Sequence, residues 1–204
     1  MKRIIFFSLF LLSVPAVRAE DFRGKFMLSL KAGHAYLLDN QVERQKLFGS
    51  RIDYFIRDWI SIGLDLNYLE YNEDVSLRFA DSYGVESELG PKWKWYSFVF
   101  SGKLSLDTTR FSPFLKAGFG FYVPRVIYKL YPTSYESIEP ITVKLNGRTC
   151  PGYNLGMGFQ YRMWKGLSLQ IEGTIDYIYN KARQISPVHS FTFANVNAGM
   201  SIVF

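Results

Sequence analysis

The chain has 204 residues, a formal net charge of +6 and 18% aromatic residues. That length suits one domain, and the single cysteine, Cys150, excludes an internal disulfide. Lys2, Arg3 and Arg18 carry half of the formal charge, and no dense basic cluster follows them, which argues against nucleic acid as a partner.

The N-terminus reads Met1-Lys2-Arg3, then an apolar run from Ile4 to Leu12, then Val17-Arg18-Ala19. A basic start, a short apolar core and small residues before Glu20 predict a secretory signal peptide over 1–19, cleaved after Ala19. The apolar run is too short to span a bilayer as a helix, which needs about 20 residues. Residues 20–204 are then the mature domain. No later segment has the length of a membrane helix, so a membrane location would require a closed barrel.

Period-2 alternation runs through the rest of the chain. It predicts eight strands, over 25–37, 47–57, 59–71, 93–106, 114–123, 150–163, 167–179 and 191–204. In the first, Phe26, Leu28, Leu30 and Ala32 oppose Ser29, Lys31 and Gly33. In the second, Ile52 and Tyr54 oppose Arg51 and Asp53. In the third, Ile60, Ile62, Leu64 and Leu66 oppose Ser61, Gly63 and Asp65. In the fourth, Phe98, Phe100 and Leu104 oppose Ser97, Ser101 and Lys103. In the fifth, Leu115, Phe119 and Phe121 oppose Lys116, Gly118 and Gly120. In the sixth, Tyr153, Leu155, Met157 and Phe159 oppose Asn154, Gly156, Gly158 and Arg162. In the seventh, Leu169, Ile171 and Ile175 oppose Gln170, Glu172 and Asp176. The last strand places Ala198, Met200, Ile202 and the terminal Phe204 on one face.

The connections alternate in length. Those at 38–46, 72–92, 124–149 and 180–190 are long; those at 57–59, 107–113 and 164–166 are short. Short turns at one end and long loops at the other, on an even strand number, predict an all-β, eight-stranded, antiparallel up-and-down transmembrane β-barrel. A soluble barrel would show the same period with its apolar face inward. The outward apolar assignment rests on small residues alternating along the polar face and on tryptophans at strand ends. Trp59 and Trp164 are read as interface residues at the short-turn end, Trp93 and Trp95 at the other, with Tyr177 and Phe204 completing the interface set.

The polar face then lines a narrow lumen with Lys31, Arg51, Lys103, Lys116 and Arg162 against Asp53, Asp65, Glu172 and Asp176. Five cations against four anions suggest an ion-paired filling more than a one-signed pore lining. A narrow channel for small solutes is the alternative.

Neither histidine makes a catalytic set. His189-Ser190 precedes the last strand with no acid following, and His34 lies on the apolar face, so lipid A modification is the third and weakest reading. No metal-ligand cluster and no phosphate-binding glycine loop are present in the sequence, so no cofactor is expected. Function is expected in the loops, at 72–92 and at 124–149. The second of these keeps alternating through Val126, Tyr128 and Leu130, then Ile141, Val143 and Leu145, with a turn signal at Asn146-Gly147. It predicts a protruding hairpin whose edge could accept a partner strand.

The run Ser112-Pro113-Phe114-Leu115-Lys116-Ala117-Gly118-Phe119-Gly120, the run Gly156-Met157-Gly158-Phe159 and the Phe204 ending resemble the small outer-membrane β-barrel family. That family includes the membrane domain of outer membrane protein A, OmpX and OmpW. The resemblance covers 20–204. It implies a bacterial outer membrane of the Gram-negative type, a non-enzymatic monomer among outer-membrane lipids, and a structural or surface-binding role with an extracellular protein or surface ligand. It also implies that Ala198, Met200, Ile202 and Phe204 form the signal read by the barrel-assembly machinery. OmpW-like relatives have an apolar lumen, from which the charged face predicted here departs.

Overall fold

The computed structural model describes residues 22–38, 45–72, 77–80, 86–106, 110–132, 141–164, 166–179 and 190–204. The predicted signal segment and His189 lie outside these. Among the described residues, ten strands form: β1 (Phe26–Leu37), β2 (Gln45–Arg57), β3 (Ile60–Asn72), β4 (Leu77–Ala80), β5 (Glu86–Ser105), β6 (Phe111–Pro132), β7 (Ile141–Asn146), β8 (Cys150–Trp164), β9 (Leu167–Tyr179) and β10 (Ser190–Val203). Eight of them close a ring in the order β1-β2-β3-β5-β6-β8-β9-β10, every pair antiparallel, with β1 and β10 sealing the seam from Met27↔Val203 to Leu37↔Phe193. Closure pairs the backbone groups around the wall, which is the condition for a sheet in lipid.

The register sets the tilt. A hydrogen-bonded row leaving His34 towards β2 passes Lys46 and reaches β3 at Glu70. Leaving the other way, it passes Val196, Gly173, Met157, Leu115 and Leu104 and reaches β3 at Ile60. A row that returns ten residues displaced around eight strands inclines each strand by roughly 40° to the barrel axis. Rows therefore climb as they run from β1 through β2, β3 and β5 to β6.

The barrel is inside out relative to a soluble one. Leu30 is 62% exposed, Phe119 66% and Met157 66%, whereas Lys31, Asp53 and Lys116 are buried. The short-turn end is closed from below. The segment before β1 tucks beneath the wall, held by the Phe22 and Arg23 amides donating to Asp58 Oδ1 at 2.8 and 3.2 Å. Phe22 stacks on Phe55 at 5.3 Å, and Met27 joins them in a buried apolar cluster.

The other end differs from the predicted loops. The segment 72–92, expected as a loop, contributes β4 and the first residues of β5, so much of it is strand. β6 likewise continues to Pro132. β4 pairs outside β5, β5 pairs with β6 up to Ser87↔Pro132, and β7 pairs outside β6 from Arg125↔Asn146 to Leu130↔Ile141. The expected hairpin is thus the outer half of a four-stranded projection, β4-β5-β6-β7. Among the described residues, its edge β7 pairs on one side only. The turn signal at Asn146-Gly147 falls on the break between β7 and β8: the Gly147 amide donates to Pro124 O at 2.8 Å, and β8 resumes at Cys150↔Tyr122. Three residues facing two on β6 need a compact kink, which an Asn-Gly pair tolerates as well as a turn does.

Candidate functional site

Six wall strands deliver the central polar cluster. Arg51 and Asp53 stand two apart on β2, so both point inward. Arg51 faces Asp65 across the β2–β3 pair, a direct cross-strand couple. Lys31 comes from β1, Lys103 from β5, Lys116 from β6 and Glu172 from β9.

Asp65 is the hub. Lys31 Nζ donates to Oδ1 at 2.7 Å and Lys116 Nζ at 3.4 Å. Arg51 Nη1 and Ser101 Oγ both donate to Oδ2 at 2.8 Å. Arg51 also forks onto Asp53, Nε at 2.7 Å and Nη2 at 2.6 Å, and Ser61 Oγ donates to the same carboxylate at 3.0 Å. Glu172 lies 3.7 Å from Lys31 Nζ and is ion-paired with Lys116. Lys103 Nζ donates to Gln160 Oε1 at 3.2 Å and sits 4.9 Å from the centre of the Phe114 ring. Bidentate and multiply bonded pairs of this kind are what allow charges to persist away from water. Small residues make the room: a Cβ on Gly63 would lie 2.7 Å from Asp53 Oδ1, and one on Gly49 would lie 2.8 Å from Lys31 Cε.

Two predicted members stand apart from this hub. Asp176 occupies a layer nearer the projection, where it accepts from Tyr122 Oη at 3.0 Å, from Asn195 Nδ2 at 2.6 Å and from Asn154. Arg162 is at the opposite end, with its guanidinium 4.4 Å from the Phe22 ring centre.

Above Asp176 the lumen turns apolar. Trp95 meets Phe191 at 5.2 Å and Phe193 at 5.9 Å edge-on, and Trp93 stacks beside Trp95 at 6.4 Å. Leu37, Leu47, Leu69, Val126 and Ile178 pack into the same buried cluster. Trp93 and Trp95 are therefore not interface residues: they are 7% and 3% exposed and plug the lumen. Their sequence parity carried the signal, because both fall in phase with Ser97, Ser101 and Lys103 on the inward face. Phe191 and Phe193, in phase with Asn195 and Asn197, were missed for the same reason. Between the aromatic layer and the hub lies one small cavity of about 10 Å³, lined by Lys31, Asp65, Lys116, Asn154, Asp176 and neighbours. That is room for about one water molecule. Among the described residues, side chains fill the lumen from end to end.

A closed, tilted, charge-filled barrel with an apolar exterior has one solvent in which it makes sense. The sequence matches the family described as outer membrane protein beta-barrel domain over residues 4–204. The chain belongs to that outer-membrane β-barrel family. Three solved structures share the fold. Neisserial surface protein A is 16% identical with a TM-score of 0.56, over 87% of this chain and 95% of that one. OprG from Pseudomonas aeruginosa is 11% identical with a TM-score of 0.52, over 91% and 98%. Ail, the attachment invasion locus protein of Yersinia pestis, is 10% identical with a TM-score of 0.51, over 89% and 99%. No curated protein matches the sequence.

In this outer-membrane barrel, the remaining predicted residues fall into two outward rings. Trp59, Trp164 and Phe204 are exposed at the short-turn end, where Phe26 stacks on Phe204 at 6.3 Å and meets Tyr54 at 5.1 Å. At the opposite end the ring is made of tyrosines. Tyr177 stacks on Tyr153 at 5.0 Å, and Tyr68 meets Tyr96 at 5.3 Å. Aromatic rings at two levels bound the apolar band of such barrels. Ala198, Met200 and Ile202 alternate outward on β10 against the β1 seam, facing Ala32, Leu30 and Leu28. Cys150 is buried beneath the aromatic plug, and His34 is exposed on the outer wall.

Proposed function

We propose that this protein is a non-enzymatic outer-membrane barrel that acts through its extracellular projection, its lumen serving as a structural core. The observation that carries this is the interior filled among the described residues: the Asp65 hub, the Asp176 layer and the Trp95 plug lie one above the other, and the gap between hub and plug has room for about one water molecule. What remains for a partner is the β4-β5-β6-β7 sheet and the loops at 72–92 and 124–149 that contain it. Among the described residues, the edge strand β7 leaves one row of backbone donors and acceptors without a strand partner, the geometry by which an extended segment of an extracellular protein adds to a sheet. The attachment named for Ail fits the same division of labour. On this reading residues 1–19 are removed on export, the barrel-assembly machinery reads the β10 ending, and the mature chain works as a monomer.

Single-channel recording in a planar bilayer tests it, using protein extracted folded from outer membrane. Silence is expected from wild-type protein and from Trp95→Ala alike, because the Asp65 hub and the Asp176 layer still fill the lumen beneath the plug. Reproducible wild-type steps that shift in size with Lys103→Gln would replace this proposal with transport. For the binding half, cells displaying the full protein should adhere to a protein-coated surface more than cells displaying a version trimmed at 77–90 and 128–145.

A further inference from the structure

Among the described residues, one carboxylate of the lumen pairs with no cation. Asp53, Asp65 and Glu172 each take part in an ion pair, and Asp176 on β9 takes part in none. It accepts from the Tyr122 hydroxyl at 3.0 Å, from Asn195 Nδ2 at 2.6 Å and from Asn154 Nδ2, all neutral donors. A buried charge without a counter-charge is costly to keep.

The same layer holds spare carbonyls. Asn154 and Asn195 give their amide groups to Asp176, which fixes Oδ1 as the atom left over on each. Both Oδ1 atoms are buried with no hydrogen-bond donor among the described residues. Asn67 spends Nδ2 on Ser97 Oγ at 3.1 Å, and its Oδ1 is unmatched in the same way. Asn197 has neither Oδ1 nor Nδ2 matched. Asn154, Asn195 and Asn197 are 5%, 3% and 1% exposed. Buried acceptors of this kind call for a partner. The four asparagines come from β3, β8 and β10, and with Thr174 and Asp176 they line the gap of about 10 Å³ between hub and plug. Lys31 and Lys116 also reach this gap, but both are committed to Asp65 and Glu172.

A water molecule does not satisfy this set. It has two hydrogens to donate, against four buried carbonyls. A bare cation can take all four as ligands and neutralise Asp176 as well. We propose that the Asp176 layer binds one dehydrated sodium ion, held by the Asp176 carboxylate and the Oδ1 atoms of Asn67, Asn154, Asn195 and Asn197. The donor set decides the ion. Every ligand is a hard oxygen, which suits sodium, calcium or magnesium and not softer metals. One carboxylate balances one positive charge. Calcium would bring a second charge beside Lys31 and Lys116, and magnesium keeps waters for which there is no room. The gap is at the lower limit for a water molecule, which favours sodium over the larger potassium ion. With the hub below and the Trp95 plug above, the ion enters as the barrel folds and leaves as it unfolds. This inference does not rest on the binding role proposed for the projection.

The test is equilibrium urea unfolding of the full protein in lipid vesicles, with sodium or potassium chloride titrated against choline chloride at constant ionic strength. An ion bound only by the native state lowers the unfolding constant about tenfold for each tenfold rise in its concentration above the dissociation constant. Wild-type protein should follow that dependence in sodium, and should need about tenfold more potassium for the same effect. Asp176→Asn should abolish the dependence, while Lys25→Gln, at the far end of the barrel, should keep it. Asn197→Leu separates an ion site from simple packing. Without an ion it removes an unmatched amide and acts alike in every salt; with the ion it weakens the protein in sodium alone. Folding is checked by the shifted migration of unboiled samples; if Asp176→Asn does not fold, Asn197→Leu carries the test. Equal unfolding in all three salts, the result expected of an ordered water, would overturn the assignment. So would a folded Asp176→Asn that keeps the sodium dependence, or an Asn197→Leu that acts alike in every salt.

Discussion

Two carboxylates on β3 make the instructive comparison. Asp65 and Glu70 are five residues apart on one strand, and each is surrounded by lysines. Asp65 faces inward and its side chain is 2% exposed; Glu70 faces outward and its side chain is 31% exposed. The contacts look alike on paper, yet their energetics diverge. A pair in water contributes about 0–1 kcal/mol, because solvent screens it and long side chains must be ordered. A buried pair stabilises little relative to an apolar filling, but breaking it leaves a charge stranded in a dry lumen, at a cost of about 3–5 kcal/mol. The parity of one strand position thus separates a keystone from an adjustable surface contact.

The strongest way to break the comparison is Asp65→Ala. It leaves Lys31 and Lys116 with Glu172 alone and Arg51 with Asp53 alone, three cations on two carboxylates, and urea unfolding in lipid vesicles should show a loss of about 3–5 kcal/mol. A loss below about 1 kcal/mol would mean that water reaches the hub. Trp95→Ala follows, with an expected loss of about 3–5 kcal/mol from the vacated volume, read by the same unfolding. Gly63→Val should cost about 1–3 kcal/mol, because its side chain must displace Asp53 or bend β2. Gly102→Val is the control, since a Cβ there meets nothing within 4 Å. The smallest effect is expected for Glu70→Gln, within about 1 kcal/mol in stability.

Parity also explains where the sequence was misread. Every residue of the Asp65 hub was legible, because alternation assigned it to the inward face before any partner was known. Trp93 and Trp95 share that parity, but a rule about where tryptophans sit in membranes overrode it. Indole at a strand end is equally at home as a plug, where its area fills the mouth of a narrow barrel. The tyrosine ring on the other parity does the interface work at that end. The projection was half legible: β6 and β7 kept alternating beyond the apolar band, whereas the charged segment holding β4 and the start of β5 gave no period to read.

The sequence by itself determined the eight wall strands, the inward and outward faces of those strands, and the outer-membrane class, because a period of two and a hairpin rhythm are local properties of a chain. Only the tertiary structure decided which cation meets which anion, since that depends on register across strands far apart in sequence. It decided too that Lys46, Glu70, Lys94 and Arg125 share one row. Those four residues come from four strands, and the barrel's shear alone aligns them.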